Sequence, residues 1–225
     1  MSRLGRPSGI LFDVGNTLLE ERAFDLEAGI AAVLPNARGV DGLALAFRAQ
    51  AARYHERQTE LLLADWLRNE VAELSAEPLA AIEDRIWHAA VTLVPRPHVD
   101  TVLAELANDA VPMGAVSNAP FSARALRNEL ARHGLAEHLQ FVLSSADTRA
   151  RKPAPAIFDA AIARLGVPAE HTWFVGDTFD DDIAGATAAH MHAILFAPSG
   201  GPSDLPDEIP VVRDWLEFRA LYGKT

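Results

Sequence analysis

The chain has no cysteine. That excludes a disulfide framework, a thiolate nucleophile and a cysteine-based zinc site, and it fits a reducing compartment. A run of basic residues is also missing: Lys and Arg are scattered, and the formal net charge is -11. This balance disfavours nucleic acid or an anionic membrane as partner, so any phosphate chemistry needs locally placed cations. Long apolar runs are absent as well. The start, Met1-Ser2-Arg3-Leu4-Gly5-Arg6-Pro7, lacks the hydrophobic stretch of a signal peptide, and no later segment approaches a membrane span. A soluble cytoplasmic protein is expected.

What is present is enough apolar material for a core, 49% of 225 residues, on a chain long for one compact domain and short for two. The organising stretch is Ile10-Leu11-Phe12-Asp13-Val14-Gly15-Asn16-Thr17-Leu18. Gly9 to Phe12 has the length and bulk of a strand buried on both faces, and it runs into an aspartate followed by turn-prone Gly and Asn. A carboxylate at a strand's C-terminal edge sits where open α/β sheets bind ligands. It can equally close a turn or cap the next helix, and the stretch alone does not decide.

From Leu18 to about Val94 no strand is evident. Leu43, Phe47, Ala51 and Tyr54, then Leu61, Leu62, Trp66 and Leu67, then Leu79, Ile82, Ile86, Trp87 and Ala90 recur at helical spacing, which predicts an all-helical insert. Its polar residues Arg53, His55, Arg57, Arg85 and His88 read first as solvated faces or helix pairs. Trp66 and Trp87 read as core. Pro95-Arg96-Pro97 marks the return, after which helices and strands alternate. Strands are predicted at 111–116, 141–143, 172–175 and 192–196, and helices at 98–108, 123–133, 154–165 and 181–189. A weak strand at Val211 and a helix from Trp215 to Leu221 close the chain. Such alternation implies a parallel sheet with helices on both faces.

The strand ends carry the chemistry. Ser117 and Asn118 follow one strand, and a hydroxyl with neighbouring N–H groups can hold a phosphate oxygen, although Ser-Asn is also common turn chemistry. Ser144-Ser145 leads to Arg151-Lys152-Pro153, where Pro153 can start a helix and fix the lysine, a point charge suited to phosphate or carboxylate. Gly176-Asp177-Thr178-Phe179-Asp180-Asp181-Asp182 concentrates four carboxylates at a helix entrance. Asp180 and Asp181 are explained as N-terminal charge on that helix. Four acids so close repel one another, and a divalent cation would relieve this; hard oxygen ligands point to Mg²⁺.

The order Asp13, Ser117, Lys152, and Asp177 with Asp182, each after a strand, resembles the four motifs of the haloacid dehalogenase-like hydrolase superfamily. The resemblance runs from about Gly9 to Phe196. It implies an α/β fold with a Rossmann-like sheet of order 5-4-1-2-3, its core in residues 1–17 and 96–225, and a helical cap of the C1 type in 18–95. It also implies that Asp13 is a nucleophile taking up a phosphoryl group, assisted by Lys152. Thr17, Ser117, Asn118 and Lys152 would bind phosphate. Mg²⁺ would be held by Asp13, the Gly15 carbonyl, Asp177 and Asp182, the last alternatively orienting Lys152. The implied partner is a small phosphorylated metabolite.

The first motif departs from the pattern at Gly15 and Asn16. Phosphatases of the family carry Asp-x-Asp-Gly-Thr at the first motif, and here Gly15 replaces the second aspartate, which protonates the leaving oxygen and activates water. General acid–base steps contribute on the order of 10²–10⁴-fold. Asn16 at the glycine position is tolerable, since Asn accepts positive φ. Three readings follow: a phosphatase whose acid–base group comes from elsewhere (Glu20, Glu21 or an insert histidine) or whose leaving group needs little protonation; a catalytically weak or inactive binding protein; and a 2-haloacid dehalogenase. Dehalogenases also lack the aspartate, but they use Tyr there and need no metal.

Overall fold

The computed structural model describes residues 4–34, 39–202 and 205–224, so Met1–Arg3 of the signal-peptide reading and the outermost residues of the core boundaries lie outside it. The first strand, β1 (Gly9–Phe12), is buried at every position, as an apolar run without alternation requires. Next come β2 (Leu19–Phe24), helices α1 (Leu26–Val33), α2 (Val40–His55), α3 (Leu63–Glu70) and α4 (Leu79–Ala90), and β3 (Val91–Pro95). The insert is therefore not all-helical. β2 and β3 pair antiparallel, Leu19 opposite Pro95 and Phe24 opposite Val91, with an irregularity between Glu21 and Ala23. The ribbon escaped the pattern because Glu20 to Phe24 is largely exposed, so no apolar face imposes a period of two.

The rest of the chain is α5 (Val99–Asn108), β4 (Met113–Ser117), α6 (Ala123–Arg132), β5 (Phe141–Ser144), the one-turn α7 (Ser145–Thr148), α8 (Pro155–Leu165), β6 (Thr172–Gly176), α9 (Ala184–Ala188), β7 (His192–Phe196), β8 (Val211–Val212) and α10 (Trp215–Tyr222). The sheet order is β5-β4-β1-β6-β7-β8, and every neighbouring pair is parallel. With β1, β4, β5, β6 and β7 taken as strands one to five, this is the expected 5-4-1-2-3 order, and β8 adds an outer edge. Two helix starts differ from expectation. Pro155, not Pro153, opens α8, and the Lys152–Pro153 peptide is cis. The helix expected from 181 is preceded by a wide turn, Phe179–Ile183, with π-type hydrogen bonding.

Successive residues of β1 serve opposite layers. Ile10 and Phe12 join the larger core and Leu11 the smaller. Beneath Phe12 the rings of Trp215 and Phe218 lie 5.7 and 6.3 Å away, while Phe158 and Phe174 pack at 5.4 Å on the other face. Both insert tryptophans are buried. Trp66 packs against Phe47, and Trp87 reaches out of the insert to donate a 3.0 Å hydrogen bond to Glu129 of α6.

Candidate active site

Parallel register brings the carboxyl ends of β1, β4 and β6 level, so Asp13, Ser117 and Asp177 emerge at one edge of the sheet. Lys152 reaches this edge from the loop after α7. Its Nζ lies 2.6 Å from Asp13 Oδ1 and 2.6 Å from Asp182 Oδ1, and it donates to the Val116 carbonyl at 3.1 Å. All three charged groups are buried. Asn118 holds the lysine's backbone from both sides, accepting from Lys152 N–H at 2.8 Å and donating to its carbonyl at 3.0 Å.

Asp182 is placed by its own turn. The Thr178 N–H and hydroxyl donate to its Oδ2 at 3.0 and 2.8 Å, leaving Oδ1 facing Lys152 as an ion pair without hydrogen-bond alignment. This fold-back needs Gly176: a Cβ there would stand 2.4 Å from the Asp182 carboxyl carbon. Asp181, read above as helix-end charge, instead accepts from Asn118 Nδ2 at 3.1 Å and lies 3.8 Å from Arg151.

Burial raises Asp13 to about 7 against the pull of Lys152, with Asp182 and Asp177 adding to the rise. Asp177 is raised to about 6, again chiefly by burial and then by Asp182. Burial alone would lower Lys152, but Asp13 and Asp182 outweigh it and hold the ammonium above its ordinary range. The cluster thus carries more negative charge than one lysine neutralises. Oxygens of Asp13, Asp177 and Asp182 all lie within 4.8 Å of one another, and this is the cluster of metal-ligand type found among the described residues. Three carboxylates within reach of one another and only one lysine among them suit a hard divalent cation.

The other predicted positions sit around this cluster. Asn16 adopts positive φ (57°); its side chain accepts from the Glu21 N–H at 3.2 Å and its carbonyl accepts from Arg96 at 3.1 Å. Thr17 is fully buried with its hydroxyl unpartnered, its carbonyl accepting from the Trp215 indole N–H at 3.3 Å. Gly15 and Ser117 line a cavity of about 100 Å³ beneath the ribbon and α4. Glu21 lines it too, whereas Glu20 pairs with Arg22 and Arg96. No insert histidine does, and Arg85 pairs with Glu77 inside the insert.

The sequence reading passed over two carboxylates that fix the insert to the core. Glu60, between α2 and α3, is 4% exposed; it accepts from Arg151 at 2.5 Å and Ser145 at 3.1 Å and meets His55 at 2.8 Å. Glu83 of α4 accepts from the Ser122 N–H and hydroxyl and from Arg124 at 2.9 Å. A lone Glu in a helical stretch carries no signal of burial, so neither was legible.

Fold and cluster together define a parallel α/β protein with a buried aspartate and lysine beside an acidic cluster at one sheet edge. Residues 7–190 match the haloacid dehalogenase-like hydrolases, and the chain belongs to that family. It is 28% identical over 184 residues to a phosphoglycolate phosphatase of Photorhabdus laumondii, covering 80% of this chain and 76% of that one. It is 31% identical over 194 residues to a glyceraldehyde 3-phosphate phosphatase of Methanopyrus kandleri, covering 81% and 80%. The crystal structure of a HAD phosphatase from Thermococcus onnurineus superposes with a TM-score of 0.65 at 22% identity, over 96% of this chain and 97% of that one.

Proposed function

We propose that the chain is a Mg²⁺-dependent phosphatase of small phosphate monoesters or anhydrides, working through an aspartyl-phosphate on Asp13. The observation that supports this is Lys152 bridging Asp13 and Asp182 beside Asp177, a carboxylate, a fixed cation and an acidic cluster suited to a divalent ion at one sheet edge. Residues 18–95 are read as the cap and 1–17 with 96–225 as the core. Asp13, Asp177, Asp182 and the Gly15 carbonyl would hold the ion, which when bound supplies the positive charge that lets two anions meet.

Asp13 attacks phosphorus as the bond to the leaving oxygen breaks, and water then hydrolyses the acyl phosphate to return the carboxylate and release phosphate. Ser117, whose hydroxyl has no partner among the described residues, is free to donate to a phosphoryl oxygen. Asp182 orients Lys152. With Gly15 offering no proton, leaving groups that depart readily are favoured. The dehalogenase reading leaves the acidic cluster without a purpose.

The same glycine favours one other reading, a binding protein that keeps the fold and the ion. Phosphate release from acetyl phosphate and a panel of phosphate esters, in Mg²⁺ and in EDTA, with wild type and Asp13→Asn, separates the two. Turnover that requires both metal and Asp13 is expected; no release under any condition would overturn the phosphatase reading.

A further inference from the structure

The cavity beside Gly15 has a chemical character that bears on what leaves from the phosphate. It opens on Ser117 and Asn118 and is roofed by Phe24, Trp87 and Leu93 of the ribbon and α4. Phe121 stands edge-on against both Trp87 and Phe24, at 4.9 and 5.9 Å between ring centroids. Glu21 is the single charged residue on its wall, and that carboxylate has no partner among the described residues. The neighbouring cations are committed elsewhere: Arg96 to Glu20 and the Asn16 carbonyl, Arg151 to Glu60 and Asp181, Lys152 to Asp13 and Asp182. A Cβ at Gly15 would meet nothing within 4 Å, so the missing side chain widens this space.

We infer that the cavity receives the leaving half of the substrate and selects a small, largely apolar group without negative charge. This rests on the phosphatase reading and narrows it. With a phosphate held at Ser117, the rest of the substrate would lie among Phe24, Trp87 and Phe121, which line the same cavity. A leaving group bearing a carboxylate or second phosphate would lose its water against that wall, find no guanidinium or ammonium, and face Glu21. A short alkyl or single-ring group loses nothing polar. The cavity is small, about 100 Å³, which favours a short leaving group over a large one. The activity named for the phosphoglycolate phosphatase relative therefore does not transfer to this chain.

The test pairs n-propyl phosphate with phosphoglycolate, close in size and different in charge, with acetyl phosphate as the independent check on phosphatase activity. The expected kcat/KM ratio of propyl phosphate to phosphoglycolate is about tenfold or more. Glu21→Gln should lower that ratio, and Leu93→Lys, which puts a cation on the wall, should lower it further. If acetyl phosphate is hydrolysed in a metal- and Asp13-dependent way but phosphoglycolate is cleaved as well as propyl phosphate, or the ratio ignores Glu21→Gln, the inference fails while the phosphatase reading stands. Inactivity toward acetyl phosphate as well would remove both.

Discussion

Gly15 is the residue on which the chemistry turns, and nothing in the packing demands a glycine there: φ is outside the left-handed region and an added Cβ finds open space. Gly15→Asp should therefore fold normally and supply the absent proton carrier. Turnover of alkyl phosphates should rise on the order of 10²-fold, and that of acetyl phosphate, whose leaving group needs no proton, much less. Steady-state kinetics on the two substrates would refute this if both rose equally. Gly176 is the opposite case. Gly176→Ala would press its methyl into Asp182 and swing the carboxylate off Lys152, costing about 1–3 kcal/mol of stability and weakening metal binding together, measurable by denaturant unfolding and calorimetric titration. That Asp13, Lys152 and Asp182 would meet was legible from their order along the chain, although Lys152 arrives from the loop after α7 and not straight from a strand. The place of Glu21 on the cavity wall was not legible, because it depends on the ribbon, which no apolar period marks.

The elements that repeat hydrophobically were readable, and those held by charge were not. α4 has Ile82, Ile86 and Ala90 on one buried stripe, and β1, β6 and β7 are apolar runs with scarcely a polar interruption, so tertiary structure only confirms local preference. The β2–β3 ribbon and the wide turn before α9 depend on partners far along the chain. So does the docking of the segment between α2 and α3. There Arg151, on the loop that carries Lys152, donates to the buried Glu60, and its N–H donates to the Gln58 carbonyl at 2.8 Å. Arg151→Ala would leave Glu60 with only Ser145, His55 and a neighbouring N–H. The expected cost is about 2 kcal/mol, less than for a fully buried pair because the Arg151 side chain is 23% exposed. A urea midpoint that falls with an unchanged slope would bear this out; an unshifted midpoint would mean the remaining partners satisfy Glu60.

On the scale of the whole molecule, an acidic chain gathers three carboxylates at one sheet edge with a single lysine among them, and on the proposed function its stability should depend on both protons and metal. Asp13 at about 7 and Asp177 at about 6 both stand above the unfolded value of 3.8, so the metal-free folded state holds protons that the unfolded chain releases. Their contribution is fully present below the unfolded value and is lost as pH rises through the folded values. In EDTA, Tm should therefore fall between about pH 4 and pH 7 and level off above that. A divalent cation binds the deprotonated carboxylates and competes with those protons, so the gain in Tm on adding Mg²⁺ should be small at the acid end and grow with pH across the same window. Asp177→Asn should flatten the decline in EDTA and shrink the Mg²⁺ gain, because it removes a titrating group and a ligand at once. A Tm in EDTA that rises with pH through this window would reverse the sign of the linkage and show that the cluster is ionised and satisfied without metal.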